Sequence, residues 1–434
     1  MKIDISNQSP FLHVTDNSND CSAQSIFLVT DQNRAYLDNA KAQGCTKIIT
    51  AQECLELFGI TNKIKIIGIT GTNGKTTTAA AIYSILLDLG KKVGLQGTRG
   101  CLINENKVDA KSLTTPPILQ TIHHLRQAVE QECEYFVMEV SSHAIVQNRI
   151  DGLQFALKIL TNITQDHLDF HKSIDAYVAV KSSFFNDETP KLINKDEPKI
   201  RFNRTNCMTY GIENPATYKV LAYALKDGIS GALAKIEKVY DFNSSLHGFF
   251  NLYNLLCAIA AVDMLGVAEM EKICDVVDNF AGVEGRMEVV STEPLIIVDF
   301  AHTPDGMEKV LESMKDKEII VVFGAGGDRD RTKRPKMGLI AQRFAKKVVV
   351  TSDNPRSENP KTIISEILSG MRESNAILVE KDRAVAIEKA LRWRENNEII
   401  MILGKGDETY QEINGEKFAF DDREVVRSLL SQIG

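Results

Sequence analysis

Apolar and β-branched residues gather in short runs that recur along most of the chain. Ile64–Thr70 is the first long one, and it ends in the glycine loop Gly71–Gly74. A bounded run of this length reads as a buried strand. A helical pattern follows over Thr77–Leu89, with Gly90 just beyond it as a stop signal. Strand, loop and helix in that order open a βαβ unit. Two further buried strands are predicted at Tyr135–Val140 and Ala156–Asn162, and Phe249–Leu265 predicts an apolar helix. Beyond Gly282, the runs Pro294–Asp299, Glu318–Phe323, Lys347–Thr351, Ala376–Val379 and Ile399–Leu403 alternate with helical patterns. Such alternation predicts a parallel sheet with helices on both faces. Residues 1–60 are more polar, with strands expected at Ser25–Val29 and Lys47–Thr50 around a helix over Ala35–Gly44. Residues 186–245 are rich in turn residues and short strands. The expected fold is α/β in three domains. These are a small N-terminal α/β cap over 1–62, a central domain with a mostly parallel sheet over 63–283, and a Rossmann-like domain over 284–434.

The length of 434 residues agrees with three domains, at roughly 150 residues each. Lysine and arginine number 51 against 58 acidic residues, a formal charge of −7. A mildly acidic chain lacks the basic footprint of a nucleic-acid binder, although it leaves room for local basic pockets. No apolar run approaches the roughly 18–20 residues of a bilayer span, and the start MKIDISNQSP has no apolar signal region. A cytosolic chain with no membrane insertion is therefore expected. Eight cysteines occur, at 21, 45, 54, 101, 133, 207, 257 and 274, with no C-x-x-C pair. They are expected to be reduced core thiols, not disulfides or a zinc site.

The candidate chemistry starts in the segment Gly71-Thr72-Asn73-Gly74-Lys75-Thr76-Thr77. Glycines let the backbone approach phosphate, and the N–H groups at the start of the following helix face the anion. Lys75 is placed to reach terminal phosphates and the Thr76 hydroxyl to ligate Mg²⁺. The full phosphate-loop pattern would require glycine at position 69, where this chain has Ile69, so only the shorter Gly71-x-x-Gly74-Lys75-Thr76 spacing is present. Glu139 falls at the end of a predicted strand, where open α/β sheets bind ligands, and its oxygens suit Mg²⁺. Asp166-His167-Leu-Asp169-Phe-His171 packs four ionisable groups into six residues, and Lys181 lies in a helical segment.

Together these motifs resemble the Mur ligases. The likeness runs over about residues 64–425 and rests on GTNGKTT, Thr114-Thr115-Pro116, EVSSH from Glu139, DHLDFH from Asp166, the Tyr177–Lys181 spacing, FNxxN from Phe250, GRME from Gly285, DFAHTPD from Asp299, GGDRD from Gly326, DNPR from Asp353 and GKG-x-E from Gly404. The resemblance is to the branch that adds the third amino acid. It implies an ATP-dependent amide ligation between the D-Glu γ-carboxylate of UDP-MurNAc-L-Ala-D-Glu and meso-diaminopimelate through an acyl phosphate. The products would be UDP-MurNAc-tripeptide, ADP and phosphate, in cytoplasmic peptidoglycan synthesis, by a monomer using Mg²⁺ with ATP as co-substrate.

The same resemblance implies residue roles. Lys75, Thr76, Glu139 and His167 form the triphosphate and Mg²⁺ set, with Lys181 as a carbamylated lysine that ligates metal. Asn251, Arg286, Asp299 and His302 contact ATP. Ser18, Thr114, Thr115, Ser141, Gln147 and Arg149 hold the UDP-substrate. Arg329, Asp353, Asn354, Arg356, Gly404 and Glu408 form the amino-acid pocket, in which an arginine takes the second carboxylate of diaminopimelate in a bidentate grip and Glu408 takes the distal ammonium. Three features depart from the family pattern: a shortened first 60 residues, Glu284 where proline is frequent, and Asp407 where histidine is usual. The rival readings are a lysine-adding or folylpolyglutamate-type ligase, and an ATPase switch that makes no bond. DNPR speaks against the lysine enzyme, and the Thr114–Pro116 and Gln147-x-Arg149 matches against the folate enzyme. The linker Gly282–Gly285 is the expected hinge for closure over the reactants.

Overall fold

The computed structural model describes every residue except 8, 111, 112, 165, 167, 227 and 434, and every side chain but those and 168, 169 and 433. Its N-terminal sheet runs Lys2–Asp4, His13–Thr15, Ser25–Leu28, Lys47–Ile49 in space, the first pair antiparallel and the others parallel. The helix expected over Ala35–Gly44 divides into a 3₁₀ turn, Arg34–Tyr36, and a short α-helix, Leu37–Ala42.

The largest sheet has eleven strands among the described residues. Its middle is parallel and carries the apolar runs read from the sequence: Lys65–Thr70 lies between Phe155–Leu160 and Tyr135–Glu139. Ile67 and Ile69 bury themselves against the helix Lys75–Asp88, and Ile66 against the opposite layer. Both faces are covered, which is why these strands are continuous apolar runs and do not alternate. The two edges are antiparallel: Val93–Gly97 continues into Gly100–Ile103 and Asn106–Asp109, and Tyr218–Ala224 into Ile229–Lys235 and Lys238–Ser244. The first of these hairpin edges was not legible in the apolar pattern.

The third sheet has the order Glu288–Thr292, Leu295–Asp299, Glu398–Leu403, Glu318–Phe323, Lys347–Val350, Ile377–Val379. Only the first pairing is antiparallel. Alternate residues of its strands feed two separate cores, Val321 and Met401 on one face, Ile320 and Ile402 on the other. The α/β class with mostly parallel sheets is thus as expected. All eight cysteines are free thiols, seven of them buried. No helix among the described residues is long and apolar enough to cross a membrane.

Candidate functional site

The loop after Lys65–Thr70 is shaped by two glycines. A Cβ on Gly71 would sit 1.8 Å from Thr161 Oγ1, and one on Gly74 would sit 2.3 Å from Asn254 Oδ1. Gly74, at φ +82°, takes the N-cap position, so the helix begins at Lys75, two residues earlier than expected. The loop is braced from the next strand end. Thr72 N–H donates to Asn162 O at 2.8 Å, Asn73 N–H to Asn162 Oδ1 at 2.9 Å, and Thr161 Oγ1 to Asn73 O at 2.7 Å. Thr72 Oγ1 and Tyr177 OH share a hydrogen bond of 3.0 Å, and Thr77 is buried one turn into the helix.

Lys75 Nζ folds back to donate to Gly71 O at 2.8 Å and Thr72 O at 2.9 Å. Burial pulls its pKa down, opposed by the charges of Glu139 and Asp166. Lys181, 1% exposed, comes from the helix Ile174–Ser183 and donates to Thr70 Oγ1 at 3.1 Å and Gly71 O at 3.0 Å. Burial drives its pKa well down, and the neighbouring Lys75 charge adds to that. His167 lies outside the described residues.

Glu139, 2% exposed, ends its strand beside this loop. Its Oε2 accepts from Thr76 Oγ1 at 3.0 Å and from Thr98 Oγ1 at 3.4 Å, while Oε1 accepts from Thr98 N–H at 3.0 Å. Among the described residues it forms no ion pair with a lysine or arginine. A buried carboxylate whose hydrogen bonds among the described residues come from hydroxyls and one amide, with the Lys75 charge close by, is a hard-oxygen donor that suits Mg²⁺.

The residues assigned to the UDP-substrate continue from this carboxylate. Thr98 Oγ1 lies 3.0 Å from Thr114 Oγ1. Thr115 Oγ1 donates to Glu139 O at 2.9 Å and accepts from Ser141 N–H at 2.9 Å. Arg149 donates to Thr115 O at 2.8 Å. Gln147 Oε1 and Arg149 Nε are buried with no hydrogen-bond partner among the described residues, an unmet demand of the kind a bound polar ligand fills. Ser18 opens the 3₁₀ turn Ser18–Asp20 of the N-terminal unit, accepting from Asn39 Nδ2 at 2.9 Å, while Gln32 Nε2 of the same unit donates to Gln147 O at 3.4 Å.

The third segment reaches the loop directly. Asp305 accepts from Asn73 Nδ2 at 2.7 Å and from Thr164 Oγ1 at 3.1 Å. Asp299 accepts the N–H groups of Met287 and Ala301, both at 2.7 Å, and burial raises its pKa. Arg286 stacks on Phe300 with its guanidinium 4.2 Å from the ring centre. His302 is pushed down to about 4 by burial, with the charge of Lys333 adding. On the facing helix Asn251 Oδ1 accepts from Asn254 Nδ2 at 3.0 Å, and Thr78 Oγ1 donates to Asn254 Oδ1 at 3.3 Å.

In the amino-acid set, Asn354 Nδ2 donates to Glu408 Oε2 at 2.8 Å. Arg356, at φ +49°, donates Nη1 to Gly327 O at 2.8 Å and pairs through Nε with Glu412 at 3.3 Å. A Cβ on Gly404 would meet Asp353 Oδ2 at 2.5 Å. Arg329 is exposed on the neighbouring loop, its Cγ 3.8 Å from a Cβ placed on Gly326. Two of the three departures from the family pattern share a partner: Arg99 pairs with Glu284 and, at 3.6 Å, with Asp407. Sequence reasoning gave no role to Thr98, Asn254, Asp305 or Lys405. Asn254, Asp305 and Lys405 stood in the FNxxN, DFAHTPD and GKG-x-E motifs; Thr98 gains meaning only from long-range contacts.

Two family models match the chain, Mur ligase middle domain over residues 69–262 and Mur ligase, glutamate ligase domain over residues 285–406. The chain is 53% identical over 433 residues to a Wolinella succinogenes protein named UDP-N-acetylmuramoyl-L-alanyl-D-glutamate--2,6-diaminopimelate ligase, covering 100% of this chain and 99% of that one. It is 48% identical to the Helicobacter pylori protein of the same name, over 95% and 94% of the two chains. A solved structure of that ligase superposes with a TM-score of 0.68 at 29% identity, covering 99% and 97%. Mycobacterium tuberculosis folylpolyglutamate synthase shares the fold, with a TM-score of 0.68 at 17% identity over 82% of this chain and 91% of that one.

Proposed function

The chain belongs to the Mur ligase family, and from that premise we propose how its own residues carry out the ligation. It is an ATP-dependent acid–amino-acid ligase of peptidoglycan precursor synthesis, joining UDP-MurNAc-L-Ala-D-Glu to 2,6-diaminopimelate. The observation that carries the reading is a hydrogen-bonded network centred on Glu139. Thr76 of the phosphate loop donates to its carboxylate, which also binds Thr98 and through it Thr114, while the Glu139 carbonyl accepts from Thr115, whose own carbonyl accepts from Arg149. Nucleotide tail and sugar-nucleotide acid are thereby held against the same strand end.

The γ-carboxylate of D-Glu attacks the γ-phosphorus of ATP in line, forming a P–O bond as the bond to the β-phosphate oxygen breaks and ADP leaves. Lys75 swings from the loop carbonyls to the transferring oxygens, where positioning and charge supply most of the catalysis. The amine of diaminopimelate, in its neutral form, attacks the acyl carbon. The tetrahedral adduct collapses with cleavage of the C–O bond, the nitrogen's proton passes to the departing phosphate, and the amide remains. Glu139, Thr76 and a carbamylated Lys181 are the oxygen donors that would hold Mg²⁺, joined by His167. When bound, the ion supplies charge neutralisation at the triphosphate. Carbamylation requires an uncharged amine, and the burial that lowers the Lys181 pKa favours that form. Arg286, Asp299, His302 and Asn251 enclose the nucleotide. Arg356, with Asn354 and Arg329, receives the second carboxylate of the meso diamino acid, and Glu408 its ammonium.

We take residues 1–62, 63–283 and 284–434 as the three working units and the protein as a monomer. Nucleotide substrates and eight unpaired thiols support a cytoplasmic location. The test is ADP release with ATP, UDP-MurNAc-L-Ala-D-Glu and either diaminopimelate, lysine or glutamate. Turnover is expected with diaminopimelate and requires the sugar nucleotide. Equal turnover with lysine, or with neither acceptor present, would overturn the reading.

A further inference from the structure

Lys405 is completely buried, flanked by Gly404 and Gly406, and plays no part in the chemistry above. Its ammonium spends its three donors on three acceptors. These are Tyr410 O at 2.6 Å, Asn354 Oδ1 at 3.2 Å and Glu408 Oε2 at 3.1 Å. Asn354 Oδ1 also accepts from Glu412 N–H at 2.9 Å. Two donors therefore converge on that oxygen, so the amide cannot rotate without setting its NH₂ against an ammonium and an N–H. Held this way, Asn354 turns its Nδ2 to Glu408 Oε2 at 2.8 Å. Oε2 thus carries two donors, while Oε1 of the same carboxylate carries no hydrogen bond among the described residues, and Glu408 keeps a part-exposed face.

We propose that Lys405 is a positioning and specificity-determining residue of the diamino-acid pocket. It locks the amide of Asn354, aims Glu408 Oε1 at the distal ammonium, and balances the Glu408 charge so that a zwitterionic end group is preferred to a bare ammonium. Charge explains the selectivity. A carboxylate already paired with a buried lysine attracts an isolated cation weakly, so a lysine substrate gains little. Diaminopimelate carries its own carboxylate to Arg356, and the pair of contacts together discriminates. Removing the Lys405 charge leaves Glu408 as an unpaired anion, which strengthens its hold on a bare ammonium and loosens the geometry on which diaminopimelate depends.

This rests on the reading that the pocket takes diaminopimelate, and the wild-type assay separates the two. If the wild-type enzyme does not use diaminopimelate, that reading fails. If it does, the variants test Lys405. Lys405→Met is compared with wild type for kcat and KM toward diaminopimelate, lysine, ATP and the sugar nucleotide. The expected result is a KM for diaminopimelate raised at least about tenfold, a ratio of kcat/KM for diaminopimelate over lysine lowered at least about tenfold, and unchanged KM for ATP. Because burying an unpaired Glu408 could prevent folding, Lys405→Met/Glu408→Gln removes both charges together. It is expected to fold and, compared with Glu408→Gln alone, to lose a further severalfold in kcat/KM for diaminopimelate, because the Asn354 amide is no longer locked. Wild-type selectivity in either folded variant, or a proportional loss across all substrates, would overturn the proposal.

Discussion

Glu139→Gln isolates charge from shape at the centre of the site. The carboxylate is buried at 2% exposure and takes hydrogen bonds from Thr76 Oγ1, Thr98 N–H and Thr98 Oγ1. Glutamine keeps one oxygen for the Thr98 amide, and its NH₂ can donate to a threonine hydroxyl turned to accept. The net cost to the fold is therefore about one ordinary hydrogen bond, ~1 kcal/mol or less, and the desolvation penalty of a buried anion is relieved at the same time. The melting temperature is expected to stay level or rise. Catalysis loses a preorganised charge, a change of about 10²–10³ in kcat, or roughly 3–4 kcal/mol. The Mg²⁺ concentration for half-maximal rate is expected to rise by about tenfold or more, the range in which metal affinity falls when the support of a ligand set is removed. Coupled phosphate release at fixed ATP and varied Mg²⁺, alongside thermal denaturation, reads both. A folded variant with kcat within about twofold of wild type and an unmoved Mg²⁺ midpoint would refute the assignment of Glu139.

Lys181→Ala is expected to lower kcat sharply with little change in the KM for diaminopimelate, and added short carboxylates should restore part of the rate; rate loss with no rescue by acetate or formate would count against a carbamate at this position. Arg356→Lys keeps the charge but loses the planar fork, so the KM for diaminopimelate should rise far more than that for ATP; equal rises would undermine the pocket. His302 is held neutral down to about pH 4, against an ordinary value of 6.5. Between those values the unfolded chain takes up a proton that the folded one refuses, so stability falls as pH drops through that window. Denaturant midpoints at pH 7 and pH 4.5 should therefore differ less in His302→Gln than in wild type; the same difference in both would contradict this.

The parallel strands were legible because burial on both faces leaves unbroken runs such as Ile66–Ile69 and Val348–Val350, and periodicity is not needed to find them. The edge hairpin from Val93 to Asp109 was not. It mixes Gly94, Gly97 and Gly100 with polar residues, and its register depends on a partner strand more than on its own pattern. Within the site, Lys75, Thr76 and Glu139 announced themselves because a glycine loop and a strand end are local features. Asp305 stood in the DFAHTPD motif without a role, since its bond to Asn73 joins positions 232 apart. Thr98 is an ordinary turn residue until the fold brings it 41 positions to Glu139. Glu284 and Asp407 read as isolated departures along the chain, and only the third dimension gives them a common partner in Arg99.

Oxygen transfer during a single turnover tests the account at its centre. UDP-MurNAc-L-Ala-D-Glu labelled with ¹⁸O in both γ-carboxylate oxygens is incubated with ATP, diaminopimelate and enzyme, and the released phosphate is analysed by mass spectrometry. Attack of that carboxylate on the γ-phosphorus, followed by C–O cleavage as the amine enters, predicts one ¹⁸O in each phosphate and one retained in the amide. Phosphate free of label, with both heavy oxygens left in the sugar nucleotide, would contradict it.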